Sequence, residues 1–150
     1  MKVALILCPV WWTIDPPLGL AQADGCLSHH GHEVSVFDLN IVLAKSFPKG
    51  YESLWNWEQF QFWNWPDTVR AFFRDNAKLI EEQLEKVLRT DAKLIGFSVY
   101  SGSQLASLEF ARLIKKADPS RKIVFGGQYL FIPKNADEIL VVGGGNSATE

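Results

Sequence analysis

The residues with most to offer chemically are small ones. Ser98, Ser101, Gly102 and Ser103 follow one apolar run, Gly126-Gly127 follows a second, and Gly143-Gly144-Gly145 follows a third. Glycine lets backbone come close to a ligand, and its N–H can reach a phosphate oxygen. Serine adds a compact hydroxyl donor. The combination suits a bulky ligand that carries an amide or phosphate tail. One glycine pair alone is more simply read as a tight turn. Three successive run ends of the same character point to binding.

Other chemistries lack their residues. No G-x-G-x-x-G follows the first apolar run, and no Walker loop is present, which disfavours dinucleotide and P-loop binding. No acidic cluster follows that run and no Lys follows the last one, so a phospho-acceptor receiver is disfavoured. His29, His30 and His32 cluster at an expected helix end, where imidazoles favour the helix dipole, and no Cys or carboxylate joins them as a metal set. Cys8 and Cys26 are too few for a disulfide framework and are read as buried thiols.

The elements that must position these residues follow from the pattern. Lys2 to Cys8 is an unbroken apolar run, the mark of a strand covered on both faces. Asp15, with Pro16 and Pro17 behind it, suits the start of a helix over Leu18 to His30, and Gly31 suits its left-handed end. Glu33 to Asp38 is a second strand, so the opening reads as a βαβ unit with a parallel sheet. An aromatic stretch from Phe47 to Trp65 reads as irregular to helical. Val69, Phe72, Phe73, Ile80, Leu84, Val87 and Leu88 then mark one amphipathic helix ending near Arg89. Lys93 to Val99 is the third strand, and Ser101 or Ser103 is expected to cap a helix that ends at Asp118-Pro119. Lys122 to Phe125 and Ile139 to Val142 are the fourth and fifth strands, with a loop and one helical turn expected over 128–137. A doubly wound sheet binds ligands at the carboxyl ends of its strands, which selects loops 9–19, 38–41, 98–103, 126–131 and 143–148.

Composition agrees with one globular α/β domain over residues 1–150. Hydrophobic residues are 47% and charged residues 21%, which excludes a disordered chain. The net charge of −2 leaves no basic surplus to meet phosphates of nucleic acid or an anionic membrane. No apolar run approaches the roughly 20 residues of a membrane span, and Met1-Lys2 leads directly into a strand rather than a signal peptide. A cytoplasmic protein is expected. Aromatic residues are 13%, with six Trp, and they concentrate in an insertion at about 41–75.

Pro16-Pro17-Leu18-Gly19-Leu20-Ala21, then His30-Gly31-His32-Glu33-Val34 and Phe37-Asp38, resemble the opening of a known domain: the cobalamin-binding domain that precedes the radical S-adenosylmethionine (SAM) domain in cobalamin-dependent radical enzymes. The resemblance continues through Ile95-Gly96-Phe97-Ser98, Val124-Phe125-Gly126-Gly127 and Val141-Val142-Gly143. It covers nearly the whole chain except the aromatic insertion. It implies a flavodoxin-like, five-stranded parallel sheet in three α/β/α layers, with the corrin at the strand carboxyl ends and the nucleotide tail along the sheet. Ser98, Ser101 and Ser103 are then candidate partners for the tail. Gly126, Gly127 and Gly143 would be backbone contacts, with Gly144 and Gly145 in the same loop. Pro17, Leu18 and Gly19 join from the opening motif, and Trp11, Trp12 or Tyr100 would cover the lower face.

The sequence departs from that pattern in ways that carry meaning. Related domains place a cobalt-ligating His in D-x-H-x-x-G after the first strand, whereas Pro9 to Asp15 contains none. Cobalamin is therefore expected with its own base displaced and no protein ligand on cobalt. Gly144 and Asn146 stand where Glu is usual, and Asp24-Gly25 interrupts the first helix, Gly costing about 1 kcal/mol against Ala. The C-x3-C-x2-C motif for a 4Fe–4S cluster is missing, so SAM and the cluster belong to a radical SAM domain expected downstream on the same polypeptide. This chain alone is expected not to be catalytic, its parent being a radical enzyme of methyl transfer or rearrangement. The Trp-rich insertion is either an inter-domain or substrate-facing surface or a second small core. The alternatives are a cofactor-less interaction or substrate-binding domain of the same fold, and an FMN-binding flavodoxin-like protein.

Overall fold

The computed structural model describes residues 1–46, 52–127 and 139–143, the last segment by its backbone. The order is β1 (Lys2–Leu7), α1 (Leu18–His29), β2 (Glu33–Asp38), α2 (Leu39–Ser46), two 3-10 turns (Glu52–Trp55 and Trp57–Asn64), α3 (Pro66–Asp75), α4 (Ala77–Leu88), β3 (Leu94–Val99), α5 (Gln104–Ala117), β4 (Lys122–Gly127) and β5 (Ile139–Gly143). The strands form a parallel sheet in the order β2-β1-β3-β4-β5. Side chains are described on β2, β1, β3 and β4, and β5 lies along the outer side of β4 by backbone pairing. The order reverses between β1 and β3, the place where open parallel sheets bind ligands.

Helices cover both faces, unequally. Val3, Leu5 and Leu7 of β1 pack with Leu20, Ala23 and Leu27 of α1 on one face. Ala4, Ile6, Ile95, Phe97, Ile123 and Phe125 point to the other, where they meet α2, α3, α4 and α5. The stripe of α5 (Ala106, Phe110, Ala111 and Ile114) is buried there, and each large apolar side chain so buried contributes about 1.5–3 kcal/mol.

Several local expectations are corrected. Residues 38–41 are not a loop: Asp38 Oδ1 accepts the Ile41 N–H at 2.9 Å and so caps α2. The first helix is led by Pro17, not Asp15, and its end has Gly31 at φ +79° as expected. The single amphipathic helix is two helices, α3 and α4. At the break, Asn76 turns out of helical geometry and both its N–H and its Nδ2 donate to the Phe72 carbonyl. Ser103 leads α5 but makes no side-chain cap, because its hydroxyl serves the Tyr100 backbone instead. Cys8 is buried, whereas Cys26 is exposed on α1 and not a buried thiol. The loop and helical turn expected over 128–137 lie outside the described residues.

The aromatic insertion is a core, not a surface, at its two central indoles. Trp55 and Trp63 are buried in the main apolar cluster. They meet edge-to-face at 5.5 Å, and Trp63 meets Phe72 at 5.0 Å, the favoured geometry for rings. Trp63 Nε1 is satisfied by the Leu54 carbonyl at 2.8 Å. Trp65, at the start of α3, stays exposed.

Candidate binding groove at the sheet crest

The site grows out of strand alternation. Along β3, Ile95, Phe97 and Val99 are buried on the helix-rich face, while Gly96 and Ser98 alternate onto the face that carries α1. In β4, Ile123 and Phe125 do the same, leaving Val124 and Gly126 opposite. The register sets Gly96 beside Leu5 and Val124, and Ser98 beside Leu7 and Gly126. Small residues thus lie side by side across two neighbouring strands and form a shallow bed.

This bed is the floor of a groove of about 550 Å³. One wall is α1, through Gly19, Leu20 and Ala23. Tyr100 and Gly127 stand at its upper end. The volume falls within the range of small-molecule sites, and the lining combines apolar surface with a few polar groups. Among the described residues no Trp lines it, and Phe97 is the one Phe that does.

Tyr100 is held from behind. Its ring stacks on Trp11 with centroids 4.2 Å apart and planes 24° apart. Trp11 in turn is pinned by Asn40, which is fully buried. The Trp11 N–H donates to Asn40 Oδ1 at 3.0 Å, and Asn40 Nδ2 donates to the Trp11 carbonyl at 3.1 Å. Asn40 Oδ1 also accepts from Trp55 Nε1 at 2.8 Å. One amide therefore joins the loop after β1, the start of α2 and the aromatic insertion.

The sequence-selected residues do not all come together. Gly19, Ser98, Tyr100, Gly126 and Gly127 come together around the groove. Trp11 backs Tyr100, and Pro17 is half-buried and accepts the Leu20 and Ala21 N–H groups with its carbonyl. Trp12, Leu18 and Ser101 are exposed, and Trp12 lines a different cavity. Ser103 is buried, and its hydroxyl accepts the Tyr100 N–H at 2.9 Å and donates to the Tyr100 carbonyl, so it closes the turn rather than offering a ligand contact. Gly143 pairs with Gly127 in the sheet, and Gly144 and Gly145 lie outside the described residues.

Two residues that shape the crest were not among the candidate site residues, Gly96 in the groove lining and Asn40 behind it. Gly96 sits mid-strand, and the large-small alternation Ile95-Gly96-Phe97-Ser98-Val99 was its signal. Asn40 follows an expected strand end directly, but a lone amide carries no motif. Two glycines are required by shape. Gly127 has φ +137°, and a Cβ there would fall on the Val99 carbonyl. A Cβ on Gly102 would strike the Phe60 ring, which the insertion seats against this turn.

Among the described residues the groove offers shape and hydrogen bonding, not a reactive group. Cys8, at the end of β1, is fully buried, and burial pushes its thiol up to about 12, so it is no nucleophile near neutral pH. The three histidines sit at the carboxyl end of α1, away from the crest. There His30 Nδ1 donates to the Cys26 carbonyl at 2.8 Å and His32 Nδ1 lies 3.3 Å from the Met1 amine. Among the described residues no three His, Cys, Asp or Glu side chains converge to hold a metal, and no helix is long and apolar enough to cross a membrane. Comparison with protein-family models, with curated proteins and with solved structures finds no match to this chain.

Proposed function

We propose that this chain is a flavodoxin-like corrinoid-carrying module, and that the groove beside α1 takes the amide- and phosphate-bearing tail of cobalamin. The observation that carries the reading is the bed of Gly96, Ser98 and Gly126 aligned across β3 and β4 and left open beside α1. A long, narrow tail needs small floor residues, since a larger side chain at any of them would fill the channel. Ser98 and Tyr100 supply hydroxyls for amide or phosphate oxygens, and the backbone at Gly126 and Gly127 supplies close approach. The sheet order β2-β1-β3-β4-β5 is that of the flavodoxin-like class, with β5 as its fifth strand. No histidine occurs between Pro9 and Pro17, so the protein offers cobalt no imidazole from the loop after β1.

When bound, the cobalt supplies the organometallic step of a methyl transfer or rearrangement, and a SAM-binding radical domain of the same polypeptide is the partner that completes it. The residues of this chain bind and orient, and the described lining of the groove holds no carboxylate, imidazole or amine.

The test is retention of hydroxocobalamin. The protein is mixed with it and passed through gel filtration, and the visible spectrum of the protein peak is recorded. Retained corrinoid absorbance is expected, and Ala23→Trp, which puts an indole into the groove wall, should abolish it while leaving far-UV dichroism unchanged. Folded wild-type protein that retains no corrinoid overturns the reading, as does retention unaffected by Ala23→Trp.

A further inference from the structure

We infer that the crest carries a second binding site, for an organic ammonium with a small apolar body. A cavity of about 320 Å³ opens between the loop after β1 and the aromatic insertion, lined by Trp12, Thr13, Ile14, Trp55, Asn56 and Glu58. It shares no described lining residue with the groove and does not rest on the corrinoid reading.

Three features define what it takes. The first is a rigid aromatic wall. Trp55 is nearly buried, and its Nε1–H is committed to Asn40 while its ring packs edge-to-face on Trp63. Its orientation is therefore set before any ligand arrives, which lowers the ordering cost of binding. The second is exposed apolar surface in the same lining. Trp12 is 46% exposed and Ile14 85%, an arrangement that leaves large apolar area in water until something covers it. The third is charge. Glu58 is the one charged residue among the six, and it has no ion-pair partner among the described residues.

An indole face and a carboxylate both present negative potential. They attract a cation together and repel an anion together. The size matters as well: the cavity sits at the small end of the ligand-site range, which suits a single-ring amine and not a nucleotide.

The full chain is titrated with phenethylammonium, with neutral 2-phenylethanol and with anionic 3-phenylpropionate. The six indole N–H signals are followed by 1H–15N NMR, with Trp12 and Trp55 assigned from single Trp→Phe variants. Saturable shifts at Trp12 and Trp55 are expected with the ammonium, about fivefold weaker binding with the alcohol and none with the carboxylate. Glu58→Gln, an exposed substitution that leaves the core intact, should weaken ammonium binding and bring it closer to the alcohol, with the indoles retaining part of the preference. Exposed Trp65 lies outside the cavity and should not move. The proposal is overturned if the ammonium gives no saturable shift, if the three probes respond alike, if Trp65 shifts as much as Trp12, or if Glu58→Gln leaves ammonium binding unchanged.

Discussion

Asn40 pairs with the backbone of Trp11 as a neighbouring strand would: its Oδ1 accepts the Trp11 N–H at 3.0 Å and its Nδ2 donates to the Trp11 carbonyl at 3.1 Å. The same Oδ1 accepts from Trp55 Nε1, so both acceptor positions of the amide are in use. The crest thereby gains a fixed point between its two cavities. Trp11 on one side backs the Tyr100 wall of the groove, and Trp12 and Trp55 on the other line the smaller cavity.

Asn40→Ala leaves the Trp11 N–H and the Trp55 Nε1–H without an acceptor in a buried site. An unsatisfied buried donor costs about 1–3 kcal/mol, so the variant should lose about 2–4 kcal/mol in urea unfolding. The loss should come with a changed near-UV dichroism, because the stacked Trp11 and Tyr100 rings are no longer held in register. A loss below about 0.5 kcal/mol, as for an ordinary surface substitution, would show that the amide is not the fixed point.

Gly127 is a position where the backbone, not the ligand, demands glycine. Its φ of +137° is closed to other L residues, and a Cβ would fall on the Val99 carbonyl of the adjacent strand. Gly127→Ala should therefore destabilise the fold by more than about 2 kcal/mol, read from the urea midpoint. Gly19→Ala meets only ordinary contact, with the nearest described atom the Tyr100 hydroxyl oxygen at 3.6 Å, and should unfold within about 0.5 kcal/mol of the wild type. Equal midpoints for the two variants would contradict this distinction.

The end of α5 gives a pH dependence far from either cavity. The Ser120 hydroxyl and the Arg121 guanidinium donate to Asp118 and hold its carboxyl down at about 2, against an ordinary 3.8. Arg121 is itself buried and caps α4 by donating to the Val87 and Leu88 carbonyls. A carboxyl depressed in the folded state is stabilising above its unfolded value, and the contribution is lost as pH falls through the folded one. The difference in urea midpoint between wild type and Asp118→Asn should therefore be full near neutral pH and shrink between about pH 4 and about pH 2. A difference that stays constant across that window would remove the carboxylate from this role.

How much of this was legible beforehand differs by element. Strands β1 and β3 were plain as apolar runs, and Gly31 marked the left-handed end of α1, although its start is led by Pro17 and not by the expected Asp15 cap. Helix α2 was not, because its start depends on Asp38 turning its carboxylate onto the Ile41 N–H at the end of a strand. The break at Asn76 was hidden too, since the apolar stripe carries on past it and Asn is only a mildly poor helix former. The insertion read as irregular to helical and holds two 3-10 turns, and burial in the main core decided between surface and interior for Trp55 and Trp63.

The amino-acid order alone determined that small residues stand at the carboxyl ends of parallel strands, since glycine, serine and apolar runs are local facts. It also showed that no G-x-G-x-x-G follows the first strand and that the chain carries no Walker loop. Only the tertiary structure decided that Gly96, Ser98 and Gly126 lie side by side, because strand register is a pairing of distant segments that no single segment encodes. It likewise decided that one loop serves two cavities. That outcome rests on a buried amide 29 residues from Trp11 finding the one backbone position it can satisfy on both edges.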